Sequence, residues 1–484
     1  MRGVSRKRIL DAARGLWQTQ DSDRTWRCFR LKAEHFRPTV TEPSDFHEVL
    51  CREIENAKER VYLASLYIGP AADPQKYTKE GALLSALESV RPGVDVKILM
   101  DRHRGLRPVP TVDKKTITSA EACRKALRKR DDPSDIYLLS VLPYTWQDVL
   151  VPNPYNEIGG VFHVKIYIVD DQLILSGANL SEEYFSDRHD RYLWIQKSEL
   201  VDCYADLVQV LCDYADHYEG DETPALSGRA SRRDLMDTLA KTLTVDAEDD
   251  GFEDIDDETE TVAYAVPTFQ VPPKFYRGQK PIPSETRTFQ ELMHATEDET
   301  SATIVRLASA YLNPTESIRS AWRDAHVHML TAGRVSHGFK PKAKAGNKGK
   351  AWIPTVFDKL AREASTENCK LWFYQRPDWT FHAKGLWLSG RSTAVDESDL
   401  RIGGEEELLA VTHGSGNFGA RSEYRDMESN LLMVFPPKSP VAAQHVDEWN
   451  EMAEYAAPEE NEKQEEISPM FQTVLKSRKF RSFF

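Results

Sequence analysis

Residues Phe162 to Asp170 read FHVKIYIVD, and Phe381 to Leu388 read FHAKGLWL. In an extended chain successive side chains face opposite ways, so Phe162, Val164, Ile166 and Ile168 share an apolar face. His163, Lys165 and Tyr167 share the other. A strand that needed only a wet face would accept any polar residue there, so a His and a Lys two positions apart call for a chemical reason. His382 and Lys384 repeat the spacing. The order that follows repeats as well. Asn179 in SGANLS stands nine residues after Asp170, and Asp190 in DRHDRY eleven beyond that; Asn417 in GSGNFG is followed eleven residues later by Glu428 in YRDMES. One HxK arises by chance in a long chain, whereas His, Lys, Asn and carboxylate twice in the same order does not.

The repeat extends upstream. Leu63 to Pro70 reads LASLYIGP and Leu307 to Pro314 reads LASAYLNP, 244 residues later. Both runs are apolar enough for buried strands, and the first follows an amphipathic helical pattern at Phe46, Val49, Leu50 and Ile54. Each is followed by a second apolar run, Val96 to Met100 and Val327 to Leu330. Strands alternating with helical stretches in two copies predict two α/β domains. The expected division is a basic segment 1–43, a first α/β domain 44–218, an acidic linker or insertion 219–261 with a short helix over Arg232 to Leu243, a second α/β domain 262–457, and a tail 458–484 that is first acidic and then basic and aromatic.

Among the 484 residues, 63 Lys and Arg face 77 Asp and Glu, a net charge of −14. The stretch Asp246 to Glu260 carries ten acids and no base, leaving −4 for the remainder. The folded part is near neutral, which argues against a general nucleic-acid binder. No apolar run approaches the ~18 residues of a membrane span. Six cysteines without a CxxC pair predict neither a disulfide framework nor a zinc knuckle. The start, MRGVSRKRILDAARGLW, holds five Arg or Lys, with Ile9, Ala12, Ala13 and Leu16 at helical spacing. It reads as a presequence remnant, a basic surface-lying helix or an ordinary solvated first helix.

The paired HxK patterns resemble the phospholipase D superfamily. The segment NEIGGVFHVKIYIVDDQLILSGANLSEEYFSDRHDRY, with TFHAKGLW and GSGNFGARSEYRDMES, is similar more narrowly to its eukaryotic phosphatidylglycerophosphate synthase branch. The similarity runs from about Phe46 to Pro436 and is weakest across the acidic linker. Two departures from the general pattern, Ser389 where the first motif has Asp170 and SGAN in place of GSxN, are shared with that branch. The resemblance implies two pseudo-symmetric phospholipase D-like α/β domains with the active site between them. It further implies transfer of a phosphatidyl group from CDP-diacylglycerol to glycerol 3-phosphate with release of CMP, the first step toward phosphatidylglycerol and cardiolipin. The location it implies is the matrix side of the mitochondrial inner membrane, held peripherally. Two alternatives remain: a CDP-diacylglycerol-dependent phosphatidylserine synthase, or another phosphodiesterase or nuclease of the superfamily. A non-catalytic scaffold would have no reason to keep both His, both Lys and both Asn.

Two His and two Lys in one pocket suit attack on a phosphodiester with neither metal nor cofactor. One neutral imidazole is a nucleophile that forms a phosphohistidine, and the other gives a proton to the leaving group. The residue types do not order the two; the resemblance makes His163 the nucleophile and His382 the acid and base. The expected catalytic group is thus His163, Lys165, Asp170, His382, Lys384 and Glu428. Asn179, Asn417, Asp190, Arg188 and Arg425 are expected around the substrate, with Asp190 and Glu428 as candidates to fix an imidazole tautomer. Arg102 and Arg104 are further cations for the acceptor's phosphate. The run GFKPKAKAGNKGKAWIP, with Lys340, Lys342, Lys344, Lys348 and Lys350 beside Phe339 and Trp352, has the composition to touch anionic lipid.

Overall fold

The computed structural model describes residues 6–15, 24–38, 40–128, 135–141, 157, 159–220, 232–246, 260–273, 285–296, 303–322, 325–339, 352–391, 399–459, 475, 477 and 481. Two mixed sheets carry the site. The first runs Tyr192–Gln196, Gln172–Ser176, Ile166–Val169, Arg60–Ser65, Asp95–Asp101, Asp135–Leu139, Asp216–His217. In the second, seven strands repeat that order: Glu428–Val434, Glu406–Gly414, Lys384–Arg391, Thr303–Ser309, His326–Ala332, Cys369–Tyr374, Ala456–Pro458. In each lobe three neighbouring strands are parallel and the rest antiparallel. Parallel neighbours need crossovers, and helices Thr78–Ser89, Ser119–Leu127, Glu316–Ala321 and Trp352–Arg362 fall at those places. The two LAS runs are the equivalent strands Arg60–Ser65 and Thr303–Ser309, buried along almost their whole length because helices and the partner lobe cover both faces.

The second sheet gains two strands beyond Glu428–Val434. Thr261–Gln270 pairs with it, and Phe29–Lys32 from the N-terminal segment pairs with Thr261–Gln270 in turn. The N-terminal helix Arg6–Gly15 is likewise docked rather than free. It buries Ile9, Leu10 and Ala13 against helix Glu285–Thr296, and Arg6 Nε donates to the Phe435 carbonyl at 2.7 Å. Leu16 lies outside the described residues. Arg232–Leu243 is helical as its spacing predicts, and Thr244–Asp246 pairs with Arg24–Trp26. Of the acidic run only the ends are described: Asp246 in that pairing, and Glu260, whose carboxylate meets Lys32 Nζ at 2.7 Å. Residues 247–259, and Lys340 to Lys350, lie outside the described residues.

One apolar core runs through both lobes. Phe162 and Val164 of the first HxK segment, Ile166 of the first sheet, Tyr204 and Leu207 of helix Glu199–Asp213, and Leu431 and Met433 of the second sheet belong to it. The outer face of the first sheet has its own core around Phe46, Leu50 and Ile54 of helix Pro43–Asn56. The lobes are joined by buried apolar surface, so their relative placement is held by the hydrophobic effect rather than by a linker. None of the six cysteines forms a disulfide, and five of them are buried. No helix among the described residues is long and apolar enough to cross a membrane.

Candidate active site

Each HxK segment crosses to the opposite lobe before entering its own sheet. His163 N donates to the Met427 carbonyl at 2.9 Å and Met427 N to the Val161 carbonyl at 3.0 Å. In the mirror arrangement Thr380–Phe381 pairs parallel with Arg188–His189, and His382 N donates to the His189 carbonyl at 2.8 Å. Each motif therefore lies beside the residues just ahead of the other lobe's carboxylate. The consequence is an exchange: Glu428 of the second lobe meets His163 of the first, and Asp190 of the first meets His382 of the second.

His163 Nδ1 is 2.9 and 3.0 Å from the two Glu428 oxygens, which also accept from Ser415 Oγ at 2.6 Å and Ser422 Oγ at 2.9 Å. His382 Nδ1 is 2.6 Å from Asp190 Oδ2, whose other oxygen accepts from Arg191 N at 2.9 Å. With Nδ1–H donated to a carboxylate, each imidazole keeps an unprotonated Nε2, which in His382 lies 3.4 Å from the Tyr184 hydroxyl. Lys384 Nζ also lies 2.6 Å from His382 Nδ1. One nitrogen cannot donate to Asp190 and accept from an ammonium together. The anionic carboxylate takes the proton, while Lys384 donates to the His382 carbonyl and sits 3.8 Å from Asp190. Lys165 Nζ donates in the same way to the His163 carbonyl at 2.6 Å.

Burial sets the charge states. Both imidazoles are pushed well below 6.5 by desolvation, reinforced by the neighbouring lysine, which favours the neutral form of each. Desolvation also lowers Lys165 far below its ordinary range and brings Lys384 down to about 8. It raises Glu428 to about 7 and moves Asp190 in the same direction. Such displacement at one point of a structure marks groups assembled for chemistry.

The two Nε2 faces open on a cavity of about 410 Å³ lined also by Asn179 and Asn417. Asn179 Nδ2 donates to the Tyr184 hydroxyl at 2.9 Å, and both asparagines carry a buried side-chain oxygen without a hydrogen-bond partner among the described residues. Unsatisfied amides facing a cavity are groups awaiting a ligand. Tyr311, Phe339, Ile353 and Phe357 form an apolar wall, while Arg104, Arg188 and Arg421 supply cations. Arg188 is buried, lies 4.3 Å over the Tyr184 ring and bonds Glu183 at 2.7 Å.

Three expected residues stand elsewhere. Asp170 is at the far end of its strand, seven residues from His163 and on the order of 20 Å away at ~3.3 Å per residue. It occupies the tight turn to Gln172–Ser176 at φ +53, and its carboxylate accepts the backbone N–H groups of Lys58, Glu59 and Arg60. It ties that turn to the start of Arg60–Ser65, whereas Ser389 lies within the longer strand Lys384–Arg391, where its hydroxyl accepts from Arg306 at 3.3 Å. Arg425 is buried but does not line the cavity; Arg421, one helical turn earlier, does. Arg102 is consumed by a buried ion pair with Asp216 at 2.5 Å.

Several contributors have no obvious mark in the sequence. Asp426 and Asp101 accept the backbone N–H groups of Val161 and Phe162, each at 2.9 Å, and so set the approach of His163. Ser422 is five residues after Asn417 just as Tyr184 is five after Asn179, and aligning the two copies would have pointed to both. Arg191 fastens the lobes. Its Nη1 donates to the carbonyls of Lys384 at 2.8 Å and Thr412 at 2.7 Å, and its other nitrogens take both Glu448 oxygens at 2.8 Å. His413, His445 and Glu448 are close enough to share a metal, but the Arg191 guanidinium already occupies Glu448 and lies 2.6 Å from His413 Nε2.

Two lobes that exchange a carboxylate for the other's HxK histidine around one cavity of about 410 Å³ have the arrangement of a phospholipase D-type site. Its similarities to known proteins lie in the phospholipase D superfamily. Residues 50–211 match the family described as cardiolipin synthase, PLD-like domain. The chain is 29% identical over 451 residues to the mitochondrial CDP-diacylglycerol--glycerol-3-phosphate 3-phosphatidyltransferase of Bos taurus, covering 84% of this chain and 75% of that one. It is 26% identical over 446 residues to the CDP-diacylglycerol--glycerol-3-phosphate 3-phosphatidyltransferase of Saccharomyces cerevisiae, covering 84% and 80%. The phosphatidylserine synthase of Haemophilus influenzae Rd KW20 shares the fold, with a TM-score of 0.63 over 95% of this chain and 96% of that one at 18% identity.

Proposed function

We propose that the chain is a CDP-diacylglycerol--glycerol-3-phosphate 3-phosphatidyltransferase, making phosphatidylglycerophosphate and CMP through a phosphatidyl-histidine. The observation that carries this reading is the crossed pair of dyads, His163 with Glu428 and His382 with Asp190, facing one cavity with an apolar wall. The names of the Bos taurus and Saccharomyces cerevisiae relatives, which match over most of both chains, supply the substrates.

His163 Nε2 attacks the phosphatidyl phosphorus; a P–N bond forms and the P–O bond to CMP breaks. The anionic diphosphate raises the proton affinity of the neighbouring imidazole, so His382 enters this step protonated and delivers its proton to the departing CMP oxygen. His382 then takes the proton of the glycerol 3-phosphate hydroxyl, whose oxygen displaces His163 from phosphorus. Lys165, Lys384, Asn179 and Asn417 offset the charge on the equatorial oxygens in both steps. The order of the two histidines follows the family resemblance.

The apolar wall suits acyl chains; Phe339 of that wall and Trp352, the chain neighbour of Ile353, are 38% and 44% exposed. They flank the lysine-rich run, which supports peripheral attachment to an anionic membrane, and the name of the Bos taurus relative supports a mitochondrial one; the matrix side of the inner membrane follows the family resemblance. Binding to anionic vesicles should then weaken as salt rises, with no affinity for nucleic acid.

CDP-diacylglycerol alone tests the whole reading. One burst of CMP per site and an acid-labile, base-stable phosphoramidate on His163 are expected. Turnover with acceptor but neither burst nor adduct would mean direct displacement. Faster CMP release with L-serine than with glycerol 3-phosphate would mean a phosphatidylserine synthase.

A further inference from the structure

A second cavity, about 430 Å³, adjoins the catalytic one of about 410 Å³. Tyr67, Arg104 and Glu183 line both, so the two cavities share that wall. Arg104 belongs to the short helix Arg102–Gly105 that follows Asp95–Asp101, and its guanidinium lies 4.4 Å over the Tyr67 ring. Arg107 comes down on the same wall, and its buried Nε has no hydrogen-bond partner among the described residues. Exposed Lys76 stands at the rim.

The carboxylates of this cavity are already engaged. Glu80 accepts from Ala71 N at 2.9 Å and Glu182 N at 3.1 Å, Glu182 from Lys79 N at 3.0 Å, and Glu183 from Arg188 at 2.7 Å. Asp187 is exposed at the rim. Facing the two arginines is Glu157, which ion-pairs with Arg107 and lies 3.7 Å from Arg104. Two guanidinium groups thus share one carboxylate, and burial together with Arg104 pushes Arg107 down to about 10. A partly desolvated guanidinium with an unused N–H is the fitting for a phosphate.

The chemistry of the proposed reaction asks for such a place. After the phosphohistidine forms, the acceptor attacks phosphorus from the face CMP has left. An acceptor that carries its own phosphate must keep that dianion clear of the transferred phosphoryl group while its hydroxyl reaches His382. A cavity behind a shared wall, with Arg104 and Arg107 on it and its carboxylates held by other donors, satisfies both demands.

We propose that the second cavity binds the phosphate monoester of the acceptor alcohol, with Arg104 and Arg107 holding the dianion and the free hydroxyl passing the Tyr67–Arg104 wall toward His382. The proposal rests on the transferase reading and adds to it where the acceptor sits and how it is selected.

The test compares glycerol 3-phosphate with glycerol as acceptors for the full chain on vesicles containing CDP-diacylglycerol. In Arg107→Gln the ratio of kcat/KM values for the two acceptors should fall about ten- to a hundredfold, the usual loss for one charge-assisted hydrogen bond, mainly through KM for glycerol 3-phosphate. Arg107→Lys should recover part of it. Inorganic phosphate should compete with glycerol 3-phosphate on the parent chain and about tenfold less well on Arg107→Gln. Both acceptors are read on the same variant, so the ratio is insensitive to a loss of folded protein. An unchanged ratio overturns the proposal. A slowed CMP burst with an intact ratio also overturns it, assigning the cavity to the nucleotide. Absence of CMP release from the parent chain with every acceptor overturns the transferase reading and this inference with it.

Discussion

Replacing Glu428 with Gln probes the crossed dyads and separates chemistry from stability. The Glu428 side chain is fully buried, and its oxygens serve His163, Ser415 and Ser422 at 2.6 to 3.0 Å. Burial raises its pKa from 4.5 to about 7, against the pull of Lys165 and the two seryl hydroxyls. Below about pH 7 the carboxyl is protonated and no longer takes the Nδ1–H, so the rate of CMP release falls as pH drops through that value. On the other side Lys384, brought down to about 8, loses its charge as pH rises and stops offsetting the phosphoryl oxygens. For the parent chain kcat/KM should be bell-shaped, with limbs near 7 and 8. Glu428→Gln should lose the acid limb and keep the alkaline one.

The size of the effect follows from the tautomer. An amide fills the same space, but it presents a donor as well as an acceptor to Nδ1, and the comparable change in a Ser-His-Asp triad costs about 10⁴ in kcat. A fall of about 10³ to 10⁴ in burst rate is expected here on that basis. Stability should move the other way. Ionising a carboxyl whose pKa is raised from 4.5 to about 7 costs the folded state about 3 kcal/mol, a cost absent below 4.5 and complete above about 7. Removing that charge should leave Tm near pH ~8 equal to or above that of the parent. Rapid-quench CMP release across the pH range, with thermal melts alongside, measures both. An acid limb at the same position in Glu428→Gln, or a rate loss under about tenfold, refutes the dyad argument.

Three further outcomes are expected. His163→Ala and His382→Ala should each abolish turnover, and the double variant should be no worse than either, because residues acting as one unit are not additive; a single variant keeping about a tenth of the activity would contradict this. Asp170→Ala removes the acceptor for three backbone N–H groups and should lower stability by about 1–3 kcal/mol in denaturant titrations while kcat stays within about threefold; a hundredfold loss of kcat would return Asp170 to the catalytic group. Gly385→Ala sets a Cβ 2.0 Å from Arg191 Nη1 and 2.6 Å from the Thr412 carbonyl at φ +150, so a destabilisation of about 2–4 kcal/mol should show in the urea midpoint, and one under about 1 kcal/mol would mean the clamp is loose.

Much of the site is legible in the sequence because phosphoryl chemistry demands particular residue types at particular spacings. Strand alternation alone puts His163 and Lys165 on one face, and the second copy removes coincidence. The exchange between lobes is not legible. Asp190 follows His163 within one copy and Glu428 follows His382 within the other, yet each serves the opposite histidine. That outcome is written in the pairing of Arg188–His189 with Thr380–Phe381, a contact between segments nearly two hundred residues apart that no local pattern encodes. Asp170 shows the converse. Its place in an HxK motif followed by Asp suggests chemistry, but strand geometry carries it to the far end of the sheet, where three backbone N–H groups claim it. The N-terminal helix was readable as amphipathic, but whether its apolar stripe meets lipid, solvent or protein depends on helix Glu285–Thr296, which is distant in the chain.

The exchange also explains why the interface between lobes is built like an interior. If each histidine were held by its own lobe, the lobes could shift by an ångström and both dyads would survive. Held by the other lobe, each dyad fails with the same small slip, and both fail together. The residue after Asp190 is Arg191, and its guanidinium grips the carbonyl of Lys384 and both oxygens of Glu448 inside the second lobe. The segment that delivers the His382 carboxylate thus also fastens the strand that carries His382 and Lys384. On the first-lobe motif, Asp426 and Met427 of the second lobe hold Val161 and His163 by their backbone just ahead of Glu428. Loosening either fastening should therefore lower kcat before it unfolds the chain, because the two histidines share one reaction coordinate and tolerate less misplacement than the core does.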